Sequence, residues 1–413
     1  MRRLLVIVTT LLMAASRLPA GQPAPSRPAA GLPAAAPESL GLQPAGLADA
    51  TALLRQFVAD GKIAGAVAAV ARKGSVGYLE PVGVQDLQTR APMTPRTLFR
   101  IYSMAKPVTA VAVMMLHDEG RFRLDDPVAR YLPEFDDVQV VDAPGAPPRR
   151  PVRPITVEDL LLHTSGLSHR TSDLYRTLGV RDRTDPLPVF VRKITRAPLM
   201  EDPHTRFRYS EATTVLGRLV EIWSGQPFDV FLRARVFTPL GMPDTSFWVE
   251  PARRDRLATV YGPAPAGGLA PVEIEALPFT ERPALLEGAV GLVSTVPDYL
   301  RFSQMLLDRG ALGGVRVLKA ETVERMVANG LPAAVQAARG GAMGWGLANV
   351  NVLLDPGSSG ASRGEYGWDG TAGTIFWVDP VKQTVIVLMT QSAPANPDGL
   401  RQKFKAIVQR AIS

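Results

Sequence analysis

The stretch from Ser103 to Gly120 constrains the fold more than any other part of the chain. Beyond Pro107 it runs Val-Thr-Ala-Val-Ala-Val-Met-Met-Leu, apolar nearly all round, and it stops at Gly120. A helix that is apolar on every side has to be buried inside the molecule. Proline is tolerated in a helix only in the first turn, where its missing N–H would have no partner anyway. The helix is therefore predicted to begin at or just before Ser103. Such a start sets the Ser103 hydroxyl at the positive end of the helix dipole, beside free backbone N–H groups.

Residues three apart share a helix face, so the Lys106 side chain can reach the Ser103 oxygen. Desolvation and the adjoining dipole both oppose an ammonium charge, the condition under which a lysine serves as a base. Ser103 and Lys106 thus read as nucleophile and base. The bare Ser-x-x-Lys pattern also fits a capping serine and a solvated lysine. What favours chemistry is the position, because a lysine opening an otherwise apolar helix needs a partner or a function.

The rest of the chain frames that helix. Leu47 to Asp60 is patterned as a helix, and the following AGAVAAVARKG suits a buried strand opening a hairpin. Near the other end GWGLANVNVLL, AGTIFWVDP and QTVIVLMTQS read as antiparallel strands, and LRQKFKAIVQRAI as a final amphipathic helix. The middle has helical stretches such as TVEDLLLH and EATTVLGRLVEIWSG, joined by the Pro-rich connections DAPGAPPRRPVRP and GPAPAGGLAP, with no strand run. The expected architecture is α/β (α+β): an antiparallel sheet flanked by helices, drawn from about 46–125 and 286–413, with a mostly helical lobe at about 126–285 inserted between. The Pro-rich segments around 143–153 and 263–271 are candidates for shaping the entrance to a site.

Residues 1–20, with Arg2 and Arg3 before an apolar run from Leu4 to Ala15, read as a secretory signal, too short to span a membrane. Export to the periplasm or medium is expected. Residues 21–45, rich in Pro and Ala, are expected to form a flexible leader without a fold. There is no cysteine, which excludes disulfides, a thiolate nucleophile and cysteine-ligated metal. His117, His163, His169 and His204 have no ligand spacing between them, so neither metal nor cofactor is expected. Removing Arg2, Arg3 and Arg17 takes the formal charge from +7 to +4, with the remaining basic residues scattered. That gives nucleic-acid binding little support. No G-x-S-x-G elbow is present.

LFRIYSMAKPVTAVAVMMLHDEGRFRLDDPVARYLPEF, LLLHTSGL, FRYSEATTVLGRLVEIWSGQPFDVFLRARVFTPLGM and YGWDGTAGTIFWVDP occur in that order. Together they resemble the serine β-lactamase-like superfamily, most closely its family VIII carboxylesterases, which are similar to class C β-lactamases. The resemblance runs from about residue 45 to 413. It implies Ser103 and Lys106 as nucleophile and base, with Tyr209 sharing proton transfer. It also implies a third motif at Trp368-Asp369-Gly370 and an oxyanion hole from the N–H groups of Thr371 and Ser103. The family uses no catalytic histidine, and His163 in His163-Thr164-Ser165-Gly166 reads as part of a turn.

Two departures from the β-lactamase pattern bear on substrate. Trp368-Asp369-Gly370 stands where Lys-Thr-Gly is usual, so a substrate carboxylate would meet an acid rather than a cation. Glu211 stands where an asparagine binds the substrate amide, and an ionised glutamate cannot donate. The expected substrate is an uncharged short-chain ester, a small molecule cleaved through an acyl-enzyme on Ser103. A β-lactamase or D-amino-acid peptidase, a transesterase, and a non-catalytic envelope binding protein are the alternatives.

Overall fold

Strand β1, Gly65–Arg72, is buried from Gly65 to Ala71, so the sheet it joins must be covered on both faces. The computed structural model of the chain describes residues 31–143, 145–274 and 279–412. The signal expected at residues 1–20 lies outside them. Among the described residues the sheet has seven strands, in the order β2 (Ser75–Gly83), β1, Thr384–Thr390, Ile375–Asp379, Tyr366–Asp369, Val350–Leu353, Met343–Gly346. Every neighbouring pair is antiparallel. Two strands from the start of the chain and five from its end thus share one sheet.

Alternation along β1 and Thr384–Thr390 sorts the two faces. Ala66, Ala68, Val70, Ile386 and Leu388 pack against helix α1 (Pro44–Ala59) and the C-terminal helix Leu400–Ala411, through Leu54, Phe57, Phe404 and Val408. The intervening Val67, Ala69, Val387 and Met389 face the larger core, which holds helix α2 (Ala105–Asp118) and the helix Val296–Leu307. Alanines on both faces of β1 let the helices approach closely.

Helices dominate the middle of the chain, including Val157–Leu161, Leu187–Ile194 and Ala212–Ser224. Thr156 opens the first of these with a reciprocal cap: its hydroxyl accepts from the Asp159 N–H, and the Asp159 carboxylate accepts from the Thr156 N–H. Among the described residues no helix is long and apolar enough to cross a membrane.

Several expectations are corrected. Residues 31–45 are not a structureless leader, because Ala34 bridges to Val76, Leu42 bridges to Ile412, and Leu40 and Leu42 are buried. Apolar positions spaced among the prolines are what dock this segment. GPAPAGGLAP, expected as a connection, contributes to a small hairpin in which Tyr261–Pro263 pairs with Leu269–Pro271. GWGLANVNVLL is two strands rather than one, folded at Asn349, whose φ of +56° makes the turn. The buried helix proper begins at Ala105, preceded by a 3-10 turn over Tyr102–Met104 that carries Ser103.

Candidate active site

The chain enters Ser103 from a two-residue strand, Phe99–Arg100, that pairs with Val293–Ser294. To swing from strand into helix within so few residues, Tyr102 takes a φ of +41°, a conformation that side chains with a Cβ rarely adopt. Buried packing holds it there: the Tyr102 ring meets Phe279 edge-on at 5.7 Å, and the Tyr299 hydroxyl donates to the Met104 carbonyl at 2.8 Å. The nucleophile candidate therefore sits on a turn fixed from both sides.

Lys106, 1% exposed, points its Nζ at the Ser103 Oγ from 3.5 Å and donates to the Ala289 carbonyl at 3.0 Å. That carbonyl comes from the loop Glu287–Gly291. Gly288 is required there, since a Cβ would stand 2.9 Å from both the Thr109 hydroxyl and the Thr213 carbonyl oxygen. On its other side the Lys106 Nζ lies 4.6 Å from the centre of the Tyr209 ring. Serine, amine and phenol thus form one contiguous group.

Tyr209 is held from two directions. Its hydroxyl accepts from the Trp368 indole N–H at 3.1 Å. Next to it, the Ser210 N–H donates to the Nδ1 of His163 at 3.3 Å, and the His163 ring lies 4.8 Å from that of Tyr209. Burial above all, with Lys106 adding to it, drives the His163 imidazole far below its usual range, so the ring is neutral. His163 does sit in a turn, with φ of +54°, and it also anchors the tyrosine segment.

Trp368 and Asp369 pair with Phe376 and Ile375 on one side only, because the ladder to Val350–Leu353 stops at Gly367. The free side faces a cavity of about 540 Å³ lined by Ser103, Tyr209, Trp368, Asp369, Gly370 and Thr371, together with His169, Arg170, Ile274 and Ala393–Ala395. The structure therefore brings six of the expected site residues to the lining of one cavity, with Lys106 behind Ser103. Among the described residues neither 143–153 nor 263–271 lines it; Ile274, just past the second segment, does.

Glu211 is the expected site residue that does not reach the cavity. It is 1% exposed, accepts from the Thr214 hydroxyl at 2.9 Å, and lies 4.0 Å from Arg181, which is paired at 2.6 Å with the buried Glu287. Burial alone would raise its carboxyl, but Arg181, Lys106 and Arg170 together outweigh that and hold it below the ordinary range. A buried carboxylate needs such cations, which is why it turns away from the cavity toward Arg181. Asp369 is corrected too, since Arg401 pairs with it and offsets the repelling charge expected there. Arg170, which is not among the expected site residues, also lines the cavity, and its guanidinium donates to the Thr371 hydroxyl at 3.0 Å. It follows a turn motif and carries no spacing that would mark it.

A serine hydroxyl on a fixed turn, an adjacent buried amine and a phenol at a cavity wall can transfer an acyl group and move the accompanying proton. The chain belongs to the beta-lactamase family, whose model matches residues 50–409. Within that family it is a serine hydrolase with esterase relatives. It is 32% identical over 368 residues to Esterase EstB of Burkholderia gladioli, covering 83% of this chain and 89% of that one. It is 35% identical over 312 residues to Penicillin-binding protein 4 of Amycolatopsis lactamdurans, covering 74% and 77%. Among solved structures, EstCE1, described as a hydrolase with promiscuous acyltransferase activity, superposes with a TM-score of 0.76 at 28% identity, covering 89% of this chain and 98% of that one.

Proposed function

We propose that the protein hydrolyses short-chain carboxylic esters through an acyl-enzyme on Ser103. The observation that carries this reading is the Ser103–Lys106–Tyr209 group at the wall of a cavity whose lining combines the apolar Trp368, Ile274, Ala393, Pro394 and Ala395 with His169, Arg170, Asp369, Gly370 and Thr371. The likeness to Esterase EstB supports it as well.

In this mechanism Lys106 takes the Ser103 proton as the oxygen attacks the ester carbonyl. The N–H groups of Ser103 and Thr371 receive the oxyanion, and such donors are commonly worth about 3 to 4 kcal/mol each. Tyr209, oriented by Trp368, delivers a proton to the departing alkoxide. Water then attacks the acyl-enzyme, with the same groups moving the proton in the opposite sense. A long serine–lysine separation in the free enzyme is ordinary, since catalytic hydrogen bonds tighten once substrate is bound.

The test is turnover of p-nitrophenyl acetate and butyrate by purified protein. Activity that is lost in Ser103→Ala is expected; no turnover, or turnover that survives the substitution, contradicts the reading. Two observations favour rival readings of the same site. The likeness to a penicillin-binding protein favours a β-lactamase or D-amino-acid peptidase, to be tested with nitrocefin and a D-Ala-D-Ala peptide. The likeness to EstCE1 favours acyl transfer, read as ester product when an alcohol acceptor is added.

A further inference from the structure

Arg401 stands in the first turn of the C-terminal helix and is 6% exposed. One arm of its guanidinium pairs with the Asp369 carboxylate. The other, Nη2, donates to the Gly370 carbonyl at 2.8 Å and to the Thr374 carbonyl at 3.2 Å. Its Nε has no hydrogen-bond partner among the described residues. An apolar side chain of similar volume would fill this place without the desolvation cost of a buried charge or an unpartnered N–H. Packing alone therefore gives no reason for an arginine here.

The reason lies in the peptide that the guanidinium grips. The Gly370 carbonyl and the Thr371 N–H belong to one trans peptide unit, and in such a unit the two point in opposite directions. Fixing the oxygen on the side of the C-terminal helix aims the Thr371 N–H away from that helix. Ser103, Gly370 and Thr371 all line one cavity, so this peptide borders the space in which the serine would react. The turn is closed at both ends as well. The Gly370 N–H donates to the Thr374 carbonyl at 2.7 Å, and a Cβ on Gly370 would stand 2.4 Å from the Ile101 carbonyl oxygen. The loop is thus seated against the backbone that leads into Ser103. A positive charge on a peptide oxygen also draws electron density from the nitrogen and strengthens its N–H as a donor.

We propose that Arg401 is a positioning residue that aims and polarises the Gly370–Thr371 peptide, so that its N–H is preorganised for the oxyanion formed at Ser103. The inference rests on the acyl-transfer reading in one respect, the use of the Thr371 N–H. It does not depend on which ester is cleaved.

The test compares Arg401→Gln and Arg401→Lys with the native chain in three readouts: thermal unfolding, kcat and KM on p-nitrophenyl butyrate, and the inhibition constant of a trifluoromethyl ketone, which forms a tetrahedral adduct on the serine. For Arg401→Gln we expect kcat to fall roughly 10- to 100-fold, as for a misaligned oxyanion donor, with KM within about threefold. Trifluoromethyl ketone affinity should fall in parallel. Arg401→Lys, which can still place a cation on the Gly370 oxygen, should recover most of the loss. A folded Arg401→Gln with kcat and ketone affinity within about threefold of native overturns the inference. So does an Arg401→Lys protein no better than a folded Arg401→Gln. If Arg401→Gln does not fold, ketone affinity in Arg401→Lys decides: a value within about tenfold of native supports the clamp, and a greater loss overturns it. If the native chain cleaves no ester of the panel, the ester reading fails by itself. The positioning role is then read from the rate at which a fluorophosphonate labels Ser103 in the same variants.

Discussion

At the scale of single residues, the hydrogen bond from the Trp368 indole to the Tyr209 hydroxyl separates a positioning residue from a proton carrier. Tyr209→Phe removes the proton itself and is expected to cost roughly 10²- to 10⁴-fold in kcat. Trp368→Phe keeps an aromatic ring and removes only the donor, so a loss of about tenfold, the value of one hydrogen bond, is expected with KM little changed. Steady-state kinetics of the two variants checks this, and an equal loss in both would place Trp368 in the chemistry rather than behind it. Ser103, Lys106 and their spacing were legible because proline and helix periodicity are local rules. The His163–Ser210 contact, the Tyr299 hydroxyl on the Met104 carbonyl, Arg170 and the Arg401 clamp were not, since each joins residues far apart in sequence. The role expected for Glu211 rested on motif position alone, which carries no information about the direction a side chain takes. Arg181 and Glu287 decide that direction.

At the scale of elements, the helix Val296–Leu307 carries a titratable group in its opening turn. Burial pushes the Asp298 carboxyl up to about 7, against the hydrogen bonds it accepts from the Thr245 hydroxyl and the Asp244 N–H. Its folded value lies above its unfolded value of 3.8. Below about pH 4 the group is protonated in both states. Between about pH 4 and 7 the unfolded chain ionises first and the folded state loses stability, by up to about 4 kcal/mol for a shift of this size. Asp298→Asn, which can accept both hydrogen bonds and does not titrate, should therefore gain on the native chain as pH rises from about 4 to 7, with the difference constant above. Urea unfolding at several pH values measures it, and a difference independent of pH would contradict the assignment. The long elements were legible from periodicity: α1, β1 and the C-terminal helix fall close to where the pattern put them, and the buried helix does so apart from the 3-10 turn that precedes it and carries Ser103. The hairpin folded at Asn349 was hidden inside one apolar run, because the turn there depends on a positive φ at an asparagine rather than on a glycine or proline.

At the scale of the whole molecule, both ends of the chain build the sheet, and both ends of the sheet's sequence supply the site. Ser103 follows the opening strands, while the third motif and the arginine that grips it come from the last fifty residues. The segment before α1 is part of the same assembly. Arg72 donates to the carbonyls of Leu40 and Gly41 at 3.0 and 2.7 Å, binding a stretch whose composition reads as a linker. Composition describes how a segment behaves in isolation, and docking of Leu40 and Leu42 into a core formed by distant helices is invisible to it. The central claim, that this assembly serves to make one serine a carrier of acyl groups, is open to a direct measurement. Intact-protein and peptide mass spectrometry after incubation with a slowly deacylating ester should find a single added acyl group, on Ser103, absent in Ser103→Ala. Ester turnover with no trapped adduct, or an acyl group on any other residue, would contradict it.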